Sequence, residues 1–333
     1  MKRFTFSSFP MMILTIGGLF FWGCSTGHSA QIPAKEITQA SASCEQSGLG
    51  PGEYVRGIES GGRKRSYKIH IPPGYSKEKK APLVLNFHGG GGNADNQEEL
   101  SQMDPVSDAN GFIVVYPNGT GVFSNRFLSF NAGMCCGYAQ AHNVDDVAFV
   151  RDMLNDVERN FCIDTKRVFS TGFSNGAIMT HRLACELSDR IAAIAPVSGP
   201  IGVDSCQPSR PVPVLEFHGT ADPWAPYNGG QVKALVGKEK HLYRSMNETI
   251  SGWVQHNHCT GAPEVSFKQG AVSCELHGSC SNDATVTLCT IDGAGHTWPG
   301  GISTLSEKKM GPTNHDISAS NMIWSFFEKH PLP

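Results

Sequence analysis

The sequence predicts an α/β fold, a mostly parallel sheet covered by helices on both faces. Three observations predict it. Short continuous apolar runs, at 82–87 and 112–116 among others, have the pattern of strands buried on both sides. Stretches with helical spacing of apolar residues alternate with those runs, as in strands joined by crossover helices. The residues able to do chemistry fall just after strand ends, where open sheets of this kind carry their sites.

Taken in order, the chain begins with Lys2 and Arg3 ahead of a mostly apolar stretch at 11–22. That stretch is short for a membrane span and reads as a signal peptide over 1–23. Gly23-Cys24 resembles a bacterial lipoprotein cleavage box, with Phe21 and Trp22 departing from it. Cys24 is therefore either a lipid-bearing residue or a plain cysteine beside an ordinary leader. Residues 24–50 are rich in Ser, Ala, Gln and Gly, as a flexible tether or propeptide is. Residues 51–333 suffice for one large α/β domain with a sizeable core. The net charge of −3 is mildly acidic and gives nucleic acid no footing.

Besides Cys24 there are ten cysteines, an even number without metal-ligand spacing. They predict disulfides formed in an oxidising compartment rather than a zinc site. Cys135 and Cys136 are adjacent and are expected to pair outward to different partners; the other connectivities stay open.

Strands are expected at 64–71, 82–87, 112–116, 168–171, 191–197, 213–217 and 285–291. A long loop rich in Gly, Asn and Cys runs from about 117 to 143, a length usual for functional or cross-linked loops. Asn143 is expected to cap a helix over 144–160, with Asp145 and Asp146 in its positively polarised first turn. Further helices are expected at 175–187, at 244–256 with Trp253 facing inward, and at 316–329 with Ile317, Met322, Ile323 and Phe326 inward.

The chain is organised around Gly172-Phe173-Ser174-Asn175-Gly176, the G-x-S-x-G spacing of a nucleophile elbow between a strand and a helix. A strand that reverses so tightly strains the serine backbone and needs small neighbours. The reversal leaves Ser174 Oγ projecting and turns the Asn175 amide toward developing negative charge. Asp222 follows the strand at 213–217 and His296 follows the last strand, so nucleophile, acid and histidine come in the order of an α/β-hydrolase. A serine hydroxyl needs a neutral imidazole to take its proton and a buried carboxylate to hold that imidazole. Asp292 is a rival acid, better suited to shaping the turn with Gly293. After the strand at 82–87 comes His88-Gly89-Gly90-Gly91-Gly92-Asn93, an oxyanion-type loop. Gly90 N–H and Asn175 N–H are the expected donors, with Gly89 as the alternative. A phosphate-cradling reading fails for want of a Gly-Lys-Ser/Thr ending. His88 and His218 are expected to make buried structural hydrogen bonds. Nothing in this chemistry requires a metal or organic cofactor.

Phe87-His88-Gly89-Gly90, Asp145-Asp146-Val147, Thr171-Gly172-Phe173-Ser174-Asn175-Gly176, His218-Gly219-Thr220-Ala221-Asp222 and Gly295-His296-Thr297-Trp298-Pro299-Gly300 belong together. The combination resembles the secreted esterases grouped as polyhydroxybutyrate-depolymerase-like, feruloyl and acetylxylan esterases, over about residues 50–330. The resemblance implies an α/β-hydrolase fold and a serine carboxylesterase with Ser174, Asp222 and His296 as its triad. It implies feruloyl or acetyl esters of plant cell-wall polysaccharide as substrates, with poly- or oligo-3-hydroxybutyrate as the alternative. It also puts Trp298 beside the histidine as a wall of the acyl pocket, with a plain core role as the other reading. Tyr227 is either a second pocket wall or a support for the Asp222 loop. Many polymer-degrading relatives carry a linker and a binding module; this chain ends soon after its closing helix, which argues against attack on crystalline polyester. The rival of another class is a non-catalytic surface lipoprotein that binds glycan or polymer. The expected location is secreted or cell-surface, with a membrane tether if Cys24 is lipidated.

Overall fold

Alternation in burial along the central strands sets the architecture. In β3 (Ala81–Phe87) every residue is buried, with Leu83, Leu85 and Phe87 turned to one core and Val84 to a second on the opposite face. The computed structural model describes residues 48–233, 240–303 and 305–333; the leader, most of the tether and Cys24 lie outside them.

The first strands are a hairpin, β1 (Gly52–Ser60) with the largely buried β2 (Arg63–Ile71). After β3 come helices α1 (Ala94–Ser101) and α2 (Met103–Asn110), then β4 (Ile113–Pro117), a short α3 (Gly137–Ala141) and α4 (Asp146–Asn160). Next are β5 (Ile163–Phe173), α5 (Asn175–Glu186), β6 (Ile194–Val197) and β7 (Val214–Gly219). The last third holds a small hairpin, β8 (Gly230–Lys233) with β9 (Lys240–Tyr243), then α6 (Met246–His256). It closes with β10 (Glu264–Gln269), β11 (Val272–His277), β12 (Val286–Ile291), α7 (Glu307–Met310) and α8 (Ala319–Phe327).

Ten strands form one sheet in the order β1-β2-β4-β3-β5-β6-β7-β12-β11-β10. The six from β4 to β12 run parallel, and antiparallel strands close both edges. Helices α4, α5 and α6 bury one face, and α1, α2 and α8 the other. Among the described residues no helix is long and apolar enough to cross a membrane.

Several expectations need correction. The N-cap of α4 is Asp145, whose side chain accepts from Ala148 N–H at 2.9 Å, while Asn143 sits at φ 46° outside the helix. Asp146 does more than complement the helix dipole. It is fully buried, 2.6 Å from Arg65 and 2.7 Å from the Asn131 amide it accepts from, and so ties the long loop to β2. On α8 it is Trp324 and Phe327, rather than Met322 and Phe326, that are buried; they stack on Phe112 and Phe169.

Cys135 and Cys136 pair with each other rather than outward, across a cis peptide that brings their Cα atoms to 3.0 Å. Adjacency is why outward pairing is expected, since disulfide-bonded Cα atoms are usually about 4.4–6.8 Å apart. Cys185–Cys206, Cys259–Cys280 and Cys274–Cys289 are bonded, and Cys162 is disulfide-bonded as well.

Candidate active site

β5 gives way to α5 within one residue, and that residue is Ser174, at φ 57° and ψ −118°. Such a backbone is costly for a non-glycine residue and persists only where its surroundings enforce it. Here they do: the Ser174 amide donates to Val197 O at 2.9 Å and its carbonyl accepts from Ile178 N–H at 3.0 Å. The flanking glycines are steric necessities. A Cβ on Gly172 would lie 2.7 Å from the Gly176 backbone and 2.8 Å from Phe87 O, and one on Gly176 would collide with the Phe87 carbonyl.

The sheet then delivers two further side chains to the serine. Asp222 lies in the turn after β7; its Oδ1 accepts from the Trp224 and Ala225 amides at 2.8 Å each. Its Oδ2 lies 2.7 Å from His296 Nδ1, and His296 Nε2 lies 2.8 Å from Ser174 Oγ. Burial works against the Asp222 carboxylate, but His296, His218 and the Ala225 amide outweigh it and hold its pKa below the ordinary value. His296 is anchored by its own amide, which donates to Met310 O, and by the Phe173 ring 4.7 Å away.

Ser174 and His296 open onto a cleft of about 510 Å³ bordered by the glycine loop, Leu100, Phe127, Phe173, Leu305 and Met310. In that loop the Gly91 and Gly92 amides are spent on Leu128 O and Gly89 O. The Gly89 and Gly90 amides have no backbone acceptor among the described residues. A Cβ on Gly90 would lie 3.7 Å from Asn175 Cβ, and one on Gly89 3.3 Å from Ser174 Cβ. The glycine loop thus stands directly over the start of α5, whose first amides are free to donate. His88 holds the loop from below: Nδ1 donates to Gly89 O at 2.7 Å and Nε2 accepts from Gly119 N–H at 3.0 Å.

The Asn175 side chain pins the long loop to the elbow. Its Oδ1 accepts from Phe130 N–H at 2.8 Å and its Nδ2 donates to Phe130 O at 3.0 Å. The Cys135–Cys136 pair lies against the same spot, since a Cβ on Gly90 would be 4.0 Å from Cys136 Sγ.

Two expected pocket walls lie elsewhere. Trp298 is 1% exposed and belongs to the core, its indole N–H donating to Ser320 Oγ at 3.1 Å. Beside the histidine it is Thr297 that borders the cleft. Tyr227 braces the Asp222 loop instead of lining the cleft, with its hydroxyl 2.7 Å from Thr290 Oγ1 and its ring edge-on to His218. Asp292 is exposed and accepts from Thr220 Oγ1 at 3.0 Å, holding the turn.

Behind Asp222 runs a row of buried polar groups, of which the sequence marks His218 but not Glu216 or His181. Glu216 on β7 is fully buried, its Oε2 3.1 Å from His181 Nε2 on α5. His181 Nδ1 accepts from Trp253 Nε1–H on α6 at 3.0 Å, so its proton sits on Nε2 and is donated to Glu216. His218 donates from Nε2 to Ala225 O at 2.6 Å and lies 3.6 Å from Asp222 Oδ2. The signal was present as an acid inside the apolar run Val214-Leu215-Glu216-Phe217.

The sheet order and the serine at the strand–helix reversal define an α/β hydrolase. Residues 65–226 match the family described as Esterase PHB depolymerase. The chain is 33% identical over 214 residues to a probable feruloyl esterase C of Aspergillus niger, covering 61% of this chain and 73% of the relative. It is 32% identical over 274 residues to feruloyl esterase B of Piromyces equi, covering 81% of this chain but only 46% of the relative's length. Among solved structures, an acetyl xylan esterase from Aspergillus awamori shares the fold at a TM-score of 0.53 and 17% identity, over 73% of this chain and 94% of that one. The chain belongs to the family of the probable feruloyl esterase C of Aspergillus niger.

Proposed function

We propose that the protein is a serine carboxylesterase in which Ser174 is the nucleophile, His296 the general base and acid, and Asp222 the residue that orients and stabilises the imidazole. The observation that carries the proposal is the unbroken hydrogen-bonded row from Ser174 Oγ through His296 to Asp222 Oδ2, at 2.8 and 2.7 Å, opening on the cleft. The ester carbonyl takes its place over Ser174, with its oxygen toward the Gly90 and Asn175 amides. His296 Nε2 accepts the hydroxyl proton as Oγ attacks, and the negative charge that forms on the carbonyl oxygen is met by the two amides. Collapse of that intermediate expels the alcohol, which leaves with the proton from His296. Water then attacks the acyl-serine by the same steps and frees the acid. The chain's own groups suffice for every proton transfer.

The substrate class follows from the relatives and the cleft. Feruloyl and acetyl esters of plant cell-wall polysaccharide suit a cleft that offers Leu100, Phe127, Phe173 and Leu305 to an acyl group beside polar glycine-loop amides. Oligo-3-hydroxyalkanoate is the second reading, favoured by the family match itself. The disulfides support export, since such bonds persist in oxidising compartments; a signal peptide over 1–23 and a lipid on Cys24 complete that reading.

A fluorophosphonate probe tests the core of the proposal. Labelling of the folded, oxidised protein and none of Ser174→Ala is the expected result. An unlabelled wild type would leave the non-catalytic polymer binder as the better account. Hydrolysis of methyl ferulate, acetylated xylan and hydroxybutyrate oligomers side by side ranks the substrates.

A further inference from the structure

On the sheet edge away from Ser174, five carboxylates gather around one histidine and one lysine. Glu53 on β1 stands directly opposite His70 on β2, so the two side chains share a face. Helices α1 and α2 lie over that face and bring Asp95, Glu98, Asp104 and Asp108 to it. Lys68 Nζ is 3.0 Å from Glu53 Oε2 and 3.6 Å from Asp95 Oδ1, and also pairs with Glu98. One ammonium thus faces three of the five acids, and His70 faces the other two.

His70 makes the cluster more than a solvated acidic patch. It is only 8% exposed. Its Nε2 is 2.8 Å from Asp108 Oδ1, so that nitrogen carries the proton. Its Nδ1 is buried without a hydrogen-bond partner, 3.7 Å from Asp104 Oδ2. That unsatisfied ring nitrogen therefore faces carboxylate oxygens with which it could share a cation. One ring nitrogen of His70 and one oxygen each of Glu53 and Asp104 lie within 4.8 Å of one another.

We propose that His70, Asp104 and Glu53 bind a divalent transition-metal ion that clamps the β1–β2 hairpin to the α1–α2 pair. The outer contacts are those a metal site requires: Asp108 holds the far side of the His70 ring, and Tyr116 donates to Asp104 Oδ1 at 2.6 Å, with Oδ2 turned toward His70 Nδ1. An ion bonded at about 2.1 Å to each donor needs separations near 3–4 Å, which small rotations of these side chains supply. One imidazole with carboxylates selects zinc- or manganese-like ions over calcium or magnesium, which prefer oxygen throughout. Lys68 is the competitor: on binding, Glu53 turns from the ammonium to the ion while Glu98 and Asp95 keep Lys68. The site is structural. It anchors α1, whose Gln97 and Leu100 border the cleft, and it does not depend on the role assigned to Ser174.

The test is calorimetric titration of tag-free, chelator-treated protein with Zn²⁺, Mn²⁺ and Ca²⁺ in turn, alongside thermal unfolding. The expected result is one Zn²⁺ or Mn²⁺ per chain, a raised Tm, and no comparable response to Ca²⁺. Glu53→Gln, at an exposed position, keeps the fold and weakens binding by about tenfold or more. His70→Gln abolishes binding, and Lys68→Met tightens it by removing the competing cation. Failure of the wild type to bind at millimolar metal, or binding unchanged in Glu53→Gln, overturns the proposal.

Discussion

Glu216 Oε1 faces His218 Nδ1 across 3.6 Å, both fully buried and neither with another hydrogen-bond partner. Two lone pairs opposed in a dry interior are untenable, so a proton belongs between them. His218 already carries one proton on Nε2 for Ala225 O, and the facing Glu216 carboxyl favours a second on Nδ1. Burial opposes that charge, but Glu216, Asp222 and the Ala225 carbonyl outweigh it and raise the His218 pKa. His218 in turn adds to the depression of the Asp222 pKa, behind the larger contribution of His296.

Replacing Glu216 by Gln removes the carboxyl that favours the second proton. Breaking one side of a buried pair costs about 3 kcal/mol, so urea unfolding of Glu216→Gln shifts to a markedly lower midpoint. Activity per folded molecule falls far less, because Asp222 retains His296 and its two backbone donors. The sign of the pH dependence follows from the raised pKa. The contribution of His218 is complete below the unfolded histidine value of about 6.5 and fades as pH climbs through the higher folded value. Wild type should therefore lose part of its advantage over Glu216→Gln on the alkaline side; a constant difference from pH 6 to 9 would contradict the second proton on His218.

The two acids near His296 are separated by a pair of amide variants. Asp222→Asn removes the acceptor that fixes the His296 tautomer, and kcat should drop by about 10⁴-fold. Asp292→Asn disturbs only the exposed contact to Thr220 and should leave kcat within a few-fold. Equal losses from the two substitutions would return Asp292 to contention. The readout is initial-rate kinetics on p-nitrophenyl acetate.

Asn175 combines two roles that mutagenesis can separate. Its amide N–H is kept by any substitution except proline, whereas its side chain alone satisfies Phe130 N–H and C=O. Asn175→Ala strands both buried groups at a cost of about 2–4 kcal/mol, and Tm should fall accordingly. Fluorophosphonate labelling of the protein that remains folded should persist, slowed but not abolished. Complete loss of labelling at full stability would mean that the side chain, rather than the amide, faces the substrate.

What could be seen in the sequence tracks how each segment is buried. β3 and β4 are covered on both faces, so they appear as unbroken apolar runs, and their limits were legible to within a residue or two. β1 alternates between exposed and half-buried, and Val55 faces solvent, so nothing apolar marked it as a strand. The α1–α2 segment has only Leu100, Met103 and Val106 as large buried apolar anchors and carries Pro105, which hid both helices. The serine, acid and histidine were visible because a tight reversal demands glycines around Ser174 and because the two partners follow strand ends. Trp298 and Tyr227 each keep two readings in the sequence for a common reason: large aromatic residues beside a site can face the core as readily as the cleft, and sequence spacing does not say which. The Cys135–Cys136 bond was hidden because adjacency alone does not say whether two cysteines pair with each other or outward. Glu216 and His181 meet only because β7 and α5 do, a tertiary contact without a local signature.

His88 makes the final prediction, on the acid side. Burial pushes its imidazole down to about 4, against the pull of the bond to Gly89 O and with the Arg65 charge adding to the depression. The unfolded chain takes up this proton near 6.5, the native state only near 4, so stability is full above 6.5 and drains as pH falls between the two. The loss reaches about 3 kcal/mol for a histidine this deeply enclosed, and below about 4 this group removes nothing more. His330 and His256 are also lowered by burial and act in the same direction. Urea denaturation at pH 7.5 and 4.5 should show a large drop for wild type and a smaller one for His88→Asn, which cannot be protonated. Because Nε2 must stay bare to accept from Gly119 N–H, protonation also breaks the bond beneath the glycine loop. Esterase activity should accordingly decline in the same window as stability in the wild type, ahead of global unfolding. An activity profile with the same acid limb in His88→Asn would assign that limb to His296 alone and remove His88 from the loop's support.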